Sequence, residues 1–159
     1  MMNTEELLCE INSAFPLIAM PDKFALGFHP KDCHQCAFLA EDLEEYRGKA
    51  IDDAAIRQIH QQLTCLSAQA WLWILPHYLR FCLTQPDGYN HAEIEYLLYG
   101  LGPDVYFAAD TRRRLSLLNS QQVDCLIRFV ARLQVDDFWS DYCPAEIARA
   151  LGFLRTLRA

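Results

Sequence analysis

Apolar positions recur at helical spacing through most of this chain, and the breaks between those stretches carry caps, glycines and prolines. Leu7, Leu8, Ile11, Phe15 and Ile18 predict a first helix from a cap at Asn3 or Thr4 to about Ala19, closed by Pro21. Met20 to Pro30 holds Phe24, Leu26 and Phe28 in loose alternation, too short for a sheet of its own, and reads as a connector. Asp32 then caps a helix to about Tyr46, stopped by Gly48, and Asp52 and Asp53 open a third to about Thr64 with Ile56, Ile59 and Leu63 along its apolar edge.

The most hydrophobic element follows an N-cap at Ser67. Residues 68–83 carry apolar side chains on all sides, which predicts a buried central helix, and Pro76 within it removes the hydrogen bond to the Leu72 carbonyl and should bend or divide it. Gln85-Pro86-Asp87-Gly88 is turn chemistry, and Asn90 caps a helix through Leu101 with Ile94, Leu97 and Leu98, stopped by Gly102-Pro103. Residues 103–119 show no clear period. Asn119 or Ser120 caps a helix to about Leu133, with Val123, Leu126, Ile127 and Val130 on one face, and Pro144 sits at the first position of a last helix to about Leu157. No stretch alternates like a hairpin strand, so the expectation is an all-α, single-domain irregular bundle of about seven helices over residues 1–159, arranged around a Pro-bent central helix at 68–83.

Composition agrees with a folded chain. Its 159 residues are 52% apolar and 22% charged, and a chain of this length buries roughly two-thirds of its unfolded surface. The formal charge of −7 disfavours nucleic acid, whose phosphates require clustered cations, and turns attention to another protein as the partner. The acidic start Met1-Met2-Asn3-Thr4-Glu5-Glu6 does not resemble a secretory leader, and the longest apolar run, Ala70 to Leu83, is broken by Pro76, His77 and Arg80 and falls short of the ~20 residues that cross a bilayer. These features predict a cytoplasmic protein with no membrane segment. Seven cysteines, an odd number, fit free thiols in a reducing compartment, with Cys9, Cys65, Cys82 and Cys125 read as small core residues.

Chemistry concentrates at Cys33-His34-Gln35-Cys36, with His29 just upstream. With Asp32 as cap, the two thiols lie one turn apart on the same side of a helix and can face one zinc ion, with His29 as a third ligand. A fourth would come from Cys65, Cys143 or His60, which the residues alone do not rank. Two alternatives stand beside this. A thiol in the first helical turn has a lowered pKa and suits redox work, although Asp32 opposes thiolate and the surrounding βαβ pattern is absent; or both thiols simply pack the helix. His77, Tyr78 and Arg80 beside Pro76 are candidates for a small polar pocket, against a plain reading in which His77 and Arg80 form a solvent edge and Tyr78 packs inside. Arg112-Arg113-Arg114 is the one concentrated positive charge, either an anion or partner contact or a solvated loop. Tyr89, Tyr96, Tyr99, Tyr106 and Phe107 form an aromatic-rich stretch of the kind enriched at interfaces.

Catalytic signatures are lacking. His91-Ala92-Glu93 is not followed by the Pro-Cys-x-x-Cys of zinc deaminases, and there is no Glu-x-x-His, His-Glu-x-x-His, Gly-x-Ser-x-Gly or phosphate loop. The pairs Glu44-Glu45, Asp52-Asp53 and Asp136-Asp137 point about 100° apart on a helix, a poor arrangement for joint acid and base work. The chain therefore points to a non-catalytic protein acting through protein binding, in the manner of small acidic immunity or antitoxin-like proteins, or else to a zinc or thiol-redox protein centred on Cys33 and Cys36.

The succession His29…Cys33-x-x-Cys36…Leu39…Leu43…Gly48-Lys49, then Leu66-Ser67-x-x-Ala70…Leu75-Pro76-His77-Tyr78-Leu79, then Leu118-Asn119-Ser120-x-Gln122, resembles a family of small bacterial proteins known only as a domain of unknown function. The likeness spans about residues 5 to 135 and departs from the family pattern at Ala50-Ile51. It implies a bacterial protein and no established activity.

Overall fold

A computed structural model describes residues 2–29, 32–86 and 89–158. Pro30, at the end of the predicted connector, and Asp87-Gly88, in the predicted turn, lie outside the described residues. Nine α-helices follow one another among them: α1 Thr4–Ala14, α2 His34–Glu44, α3 Asp53–Ile59, α4 Ala68–Thr84, α5 His91–Leu101, α6 Ala108–Arg114, α7 Ser120–Val135, α8 Asp137–Tyr142 and α9 Pro144–Leu157. Short 3-10 turns occupy Lys23–Ala25 and His60–Cys65. The fold is all-α, and its extended pairing among the described residues is a single antiparallel bridge between Gly27 and Leu66.

Two of the nine helices, α6 and α8, were not expected from the apolar pattern. Both are too short to show a full helical stripe, and α8 starts where Asp136 ends α7 and at once accepts from the Phe138 and Trp139 amides. The first helix is shorter than expected, ending at Ala14 rather than near Ala19. Pro16 decides this, because a proline disfavours helical geometry in the residue before it, and Phe15 accordingly leaves the helix at φ −118°, ψ 89°. The third helix also stops early, at Ile59, and tightens into the 3-10 turn.

Capping chemistry explains the starts. Asn3 and Glu6 form a reciprocal box, each backbone N–H donating to the other's side chain at 2.8 Å, and Asn119 with Gln122 repeats it at the head of α7. Asp52 accepts from the Ala55 amide, and Ser67 Oγ from that of Ala70. Asn90 takes the cap position of α5 but sends its amide group to the Cys82 carbonyl at 2.6 Å instead of capping.

Helix α4 is buried along much of its length. Trp71, Trp73, Ile74, Leu75, Tyr78, Leu79, Phe81 and Cys82 are all buried, so it meets neighbours on every side, and Pro76 lies inside it without dividing it into two helices. Helix α7 packs against α1 and α9, α9 against α5, and α4 against α1, α3 and α6. Two polar anchors fix α5 in this core. Tyr78 Oη donates to the Glu93 carbonyl at 2.6 Å, and the buried Glu93 carboxylate accepts from Arg57 at 2.9 Å.

Cys65, Cys82 and Cys125 are buried as expected, whereas Cys9 is exposed on the outer face of α1. Its neighbours Leu7 and Ile11 hold the inner face, and the rotation between positions turns Cys9 outward. No helix among the described residues is long and apolar enough to cross a membrane.

Candidate metal centre

One corner of the bundle is built from backbone that no helix satisfies. The 3-10 turn at His60–Cys65 leaves the carbonyls of Leu63, Thr64 and Cys65 outside any α-helical ladder, and each finds a donor elsewhere. The Trp71 indole donates to Leu63 at 3.0 Å, Arg114 Nε to Thr64 at 3.0 Å, and the Phe28 amide to Cys65 at 2.9 Å. Ser67 completes the ladder, its N–H bonding Leu26 at 2.8 Å and its hydroxyl donating to the Ala25 carbonyl at 2.6 Å. The connector before α2 is thereby sewn to the segment that enters α4.

That stitching carries His29 and Cys65 to the start of α2. The donor atoms of His29, Cys33 and Cys36 lie within 4.8 Å of one another, with His29 Nδ1 3.2 Å from Cys36 Sγ. Ligands at about 2.0–2.3 Å from a tetrahedral zinc ion stand about 3.5–3.8 Å apart, so the three need only small adjustments, the His29–Cys36 pair widening slightly, to hold one. Cys36 also donates to the Cys65 carbonyl at 3.5 Å, and the Cys65 thiol lies against that of Cys36, reaching Gln35 Oε1 at 4.0 Å. Gly27 makes the approach feasible, since a Cβ there would stand 3.2 Å from that of Cys36.

The residue at the N-cap of α2 is Cys33 rather than Asp32. The Cys36 and Gln35 amides at the helix start face the Cys33 sulfur, and they lower its pKa; the opposing charge of Asp32 is a smaller influence. Burial raises Cys36, and it pushes Cys65 up to about 11. Ionisation is thus easier at Cys33 than at the two buried thiols, and a metal would displace the remaining protons as it binds.

Cavities flank the cluster. One of about 260 Å³ opens between Gly27, His29, Cys33, Cys36 and the Phe24 and Glu41 side chains. His29 also borders a second, of about 390 Å³, walled by Trp71, Tyr99, Phe107, Arg114 and Arg149.

No family model matches this chain, and comparison with curated proteins and with solved structures gives no match. The arrangement of side chains is what speaks to function.

Of the other fourth-ligand candidates, His60 turns Nδ1 to the Arg57 carbonyl and its ring to Tyr96, and Cys143 is buried at the start of α9 near Glu146 and Glu95. Neither belongs to this corner. His77, Tyr78 and Arg80 do not converge on a common pocket. Tyr78 is buried against Glu93, Arg80 donates to Asn12 Oδ1 at 3.0 Å, and His77, its pKa lowered by burial, borders a separate cavity of about 230 Å³ with Trp73 and Tyr46.

The arginine run is a helix and not a solvated loop. Arg112 lies over the Phe153 ring and bonds Thr156, while Arg113 lies over Phe28 and pairs with Asp110. Arg114 is only 6% exposed and lies 4.0 Å from the Phe28 ring centroid, with Cys65 and Cys36 among the groups whose charge acts on it. The run stood out in the sequence as charge alone; that its last member belongs beside the thiols had no sequence signal. Tyr89, Tyr99, Tyr106 and Phe107 are exposed, with Val105 and Tyr106 at 83% and 88%.

Proposed function

We propose that this protein is a non-catalytic helical protein that binds a zinc ion through His29, Cys33 and Cys36, the ion serving to hold the connector at residues 20–29 against α2. The observation that carries this reading is the gathering of three zinc-type donors, from a connector and a helix start, within 4.8 Å. The bundle it serves is built on α4, which bends at Pro76. We read its compartment as a reducing cytoplasm, a reading supported by seven cysteines that form no disulfide.

Elemental analysis of protein purified without chelator, beside a Cys33→Ser/Cys36→Ser variant, tests the assignment. One zinc per chain in the parent and none in the variant is expected. A metal-free parent that also takes up no zinc on titration overturns it.

Binding of another protein is the activity that the metal corner would support. Val105, Tyr106 and Phe107 favour this reading, because three large apolar side chains project side by side from the α5–α6 connector of a chain with charge −7. Affinity capture with the intact protein should retain a stoichiometric partner that a Val105→Ser/Tyr106→Ser variant loses. Repeated empty captures at low salt, or equal retention by the variant, count against this surface.

A further inference from the structure

Arg114 brings a positive charge to the thiol corner that the three-ligand site does not use. The residue is 6% exposed, and its guanidinium is held by a backbone carbonyl at Thr64 and the face of Phe28, with Asp110 one turn back on α6, then Cys65 and Cys36, as the acidic groups whose charges favour it. A largely buried cation is stabilised by each negative charge brought near it. The carbonyl that Arg114 grips belongs to the residue next to Cys65, and Cys65 in turn touches Cys36. The charge therefore stands beside the thiols.

Charge counting says what would complete it. A zinc ion with two thiolates and a neutral imidazole is electrically neutral and adds nothing to the negative charge that Asp110 already sets near Arg114. With three thiolates and one imidazole the centre carries one negative charge, which a single guanidinium balances. We propose that Cys65 is the fourth ligand, so that His29, Cys33, Cys36 and Cys65 form a closed Cys3His zinc centre with Arg114 as its buried counter-ion. This rests on the zinc reading above and goes beyond it, because it turns an open three-ligand site into a structural one with no position for water or substrate.

The backbone is already prepared for this. The Phe28–Cys65 and Ser67–Leu26 hydrogen bonds fix the Cys65 backbone beside Gly27, and Gly27 leaves room for Cys36. Cys65 must then turn its one side-chain torsion from Gln35 toward the other three donors, a move between staggered rotamers. Each thiol releases its proton to solvent as its Zn–S bond forms. The ion would link three separate pieces of chain: the connector, α2 and the turn before α4.

X-ray absorption at the zinc edge of the intact, zinc-loaded protein tests the ligand set without any substitution. Three sulfurs and one nitrogen are expected. Two sulfurs with a nitrogen and an oxygen would overturn the assignment of Cys65 while leaving the zinc reading intact, whereas failure to load zinc removes the zinc reading itself. Cobalt substitution provides a second readout, since Cys65→Ser should weaken the sulfur-to-cobalt charge-transfer band while a Cys65→His variant keeps a tetrahedral spectrum with one sulfur fewer. An unchanged band in Cys65→Ser overturns the proposal. For the counter-ion, Arg114→Met should weaken zinc binding by about 10- to 100-fold and Arg114→Lys by much less. Equal affinity in all three proteins would remove Arg114 from this role.

Discussion

The core around α4 and the corner around Cys36 are held together by different physics. In the core, Trp71, Tyr78, Phe129, Leu126 and Leu154 are fully or almost fully buried and apolar contact dominates, so each side chain contributes through the area it removes from water. The corner has two ring-facing arginines, three thiols, an imidazole and a ladder of single hydrogen bonds between residues 25–28 and 65–67. Its outer edge is open, with Phe24 89% exposed and His29 exposed, while Leu26, Cys36, Cys65 and Leu66 are buried and continuous with the core. The corner is thus joined to the core on its inner side and open on its outer side, where a bound metal would add links between segments that apolar contact does not supply.

Phe129→Ala separates the two regions most strongly. It should cost about 3–5 kcal/mol in denaturant unfolding, by the same amount with and without chelator, because the cavity opens on α7 away from the thiols. A cost that depends on chelator would mean that the two regions fold as one unit. Gly102→Ala tests the close approach of α5 to α9, where an added Cβ would stand 2.6 Å from the Ala150 amide nitrogen, and a loss of about 1–3 kcal/mol is expected with no change in zinc affinity.

Gly27→Ala should show the opposite pattern. The neighbouring Cys36 Cβ must yield by a few tenths of an ångström, so zinc affinity should fall by roughly 10-fold while metal-free unfolding barely changes. Competition against a chromophoric chelator measures the first and urea titration the second. A Gly27→Ala protein that unfolds early without metal would show the corner to be part of the core.

The smallest effect concerns pH. In metal-free protein Cys33 has its pKa lowered by the α2 amides and Cys36 has its own raised by burial, so as pH rises Cys33 forms thiolate first and Cys36 later. Alkylation followed by peptide mass mapping should label Cys33 at a lower pH than Cys36, and zinc should protect both. Equal labelling at every pH would contradict the helix-start geometry.

Much of the helical layout was legible because its causes are local. The caps at Asn3, Asp52, Ser67 and Asn119, the proline at 144 and the all-round apolar character of residues 68–83 each act within a few positions. Errors arose where a neighbour intervened. Pro16 ended α1 earlier than its apolar period suggested, and Cys33 displaced Asp32 as the cap of α2. The Leu63, Thr64 and Cys65 carbonyls drew Trp71, Arg114 and Phe28 to a stretch that reads as plain helix.

The amino-acid order by itself determined the all-α class, the strongly apolar helix α4 and the Cys33/Cys36 pair, because periodicity and one-turn spacing are properties of consecutive residues. Only the tertiary structure decided which distant groups join that pair. Bringing Cys65, rather than Cys143 or His60, against Cys36, with Arg114 nearby, depends on hydrogen bonds between segments some forty to fifty residues apart, such as Ser67 to Ala25 and Arg114 to Thr64. No local pattern encodes such pairings; they exist only once the chain has closed on itself.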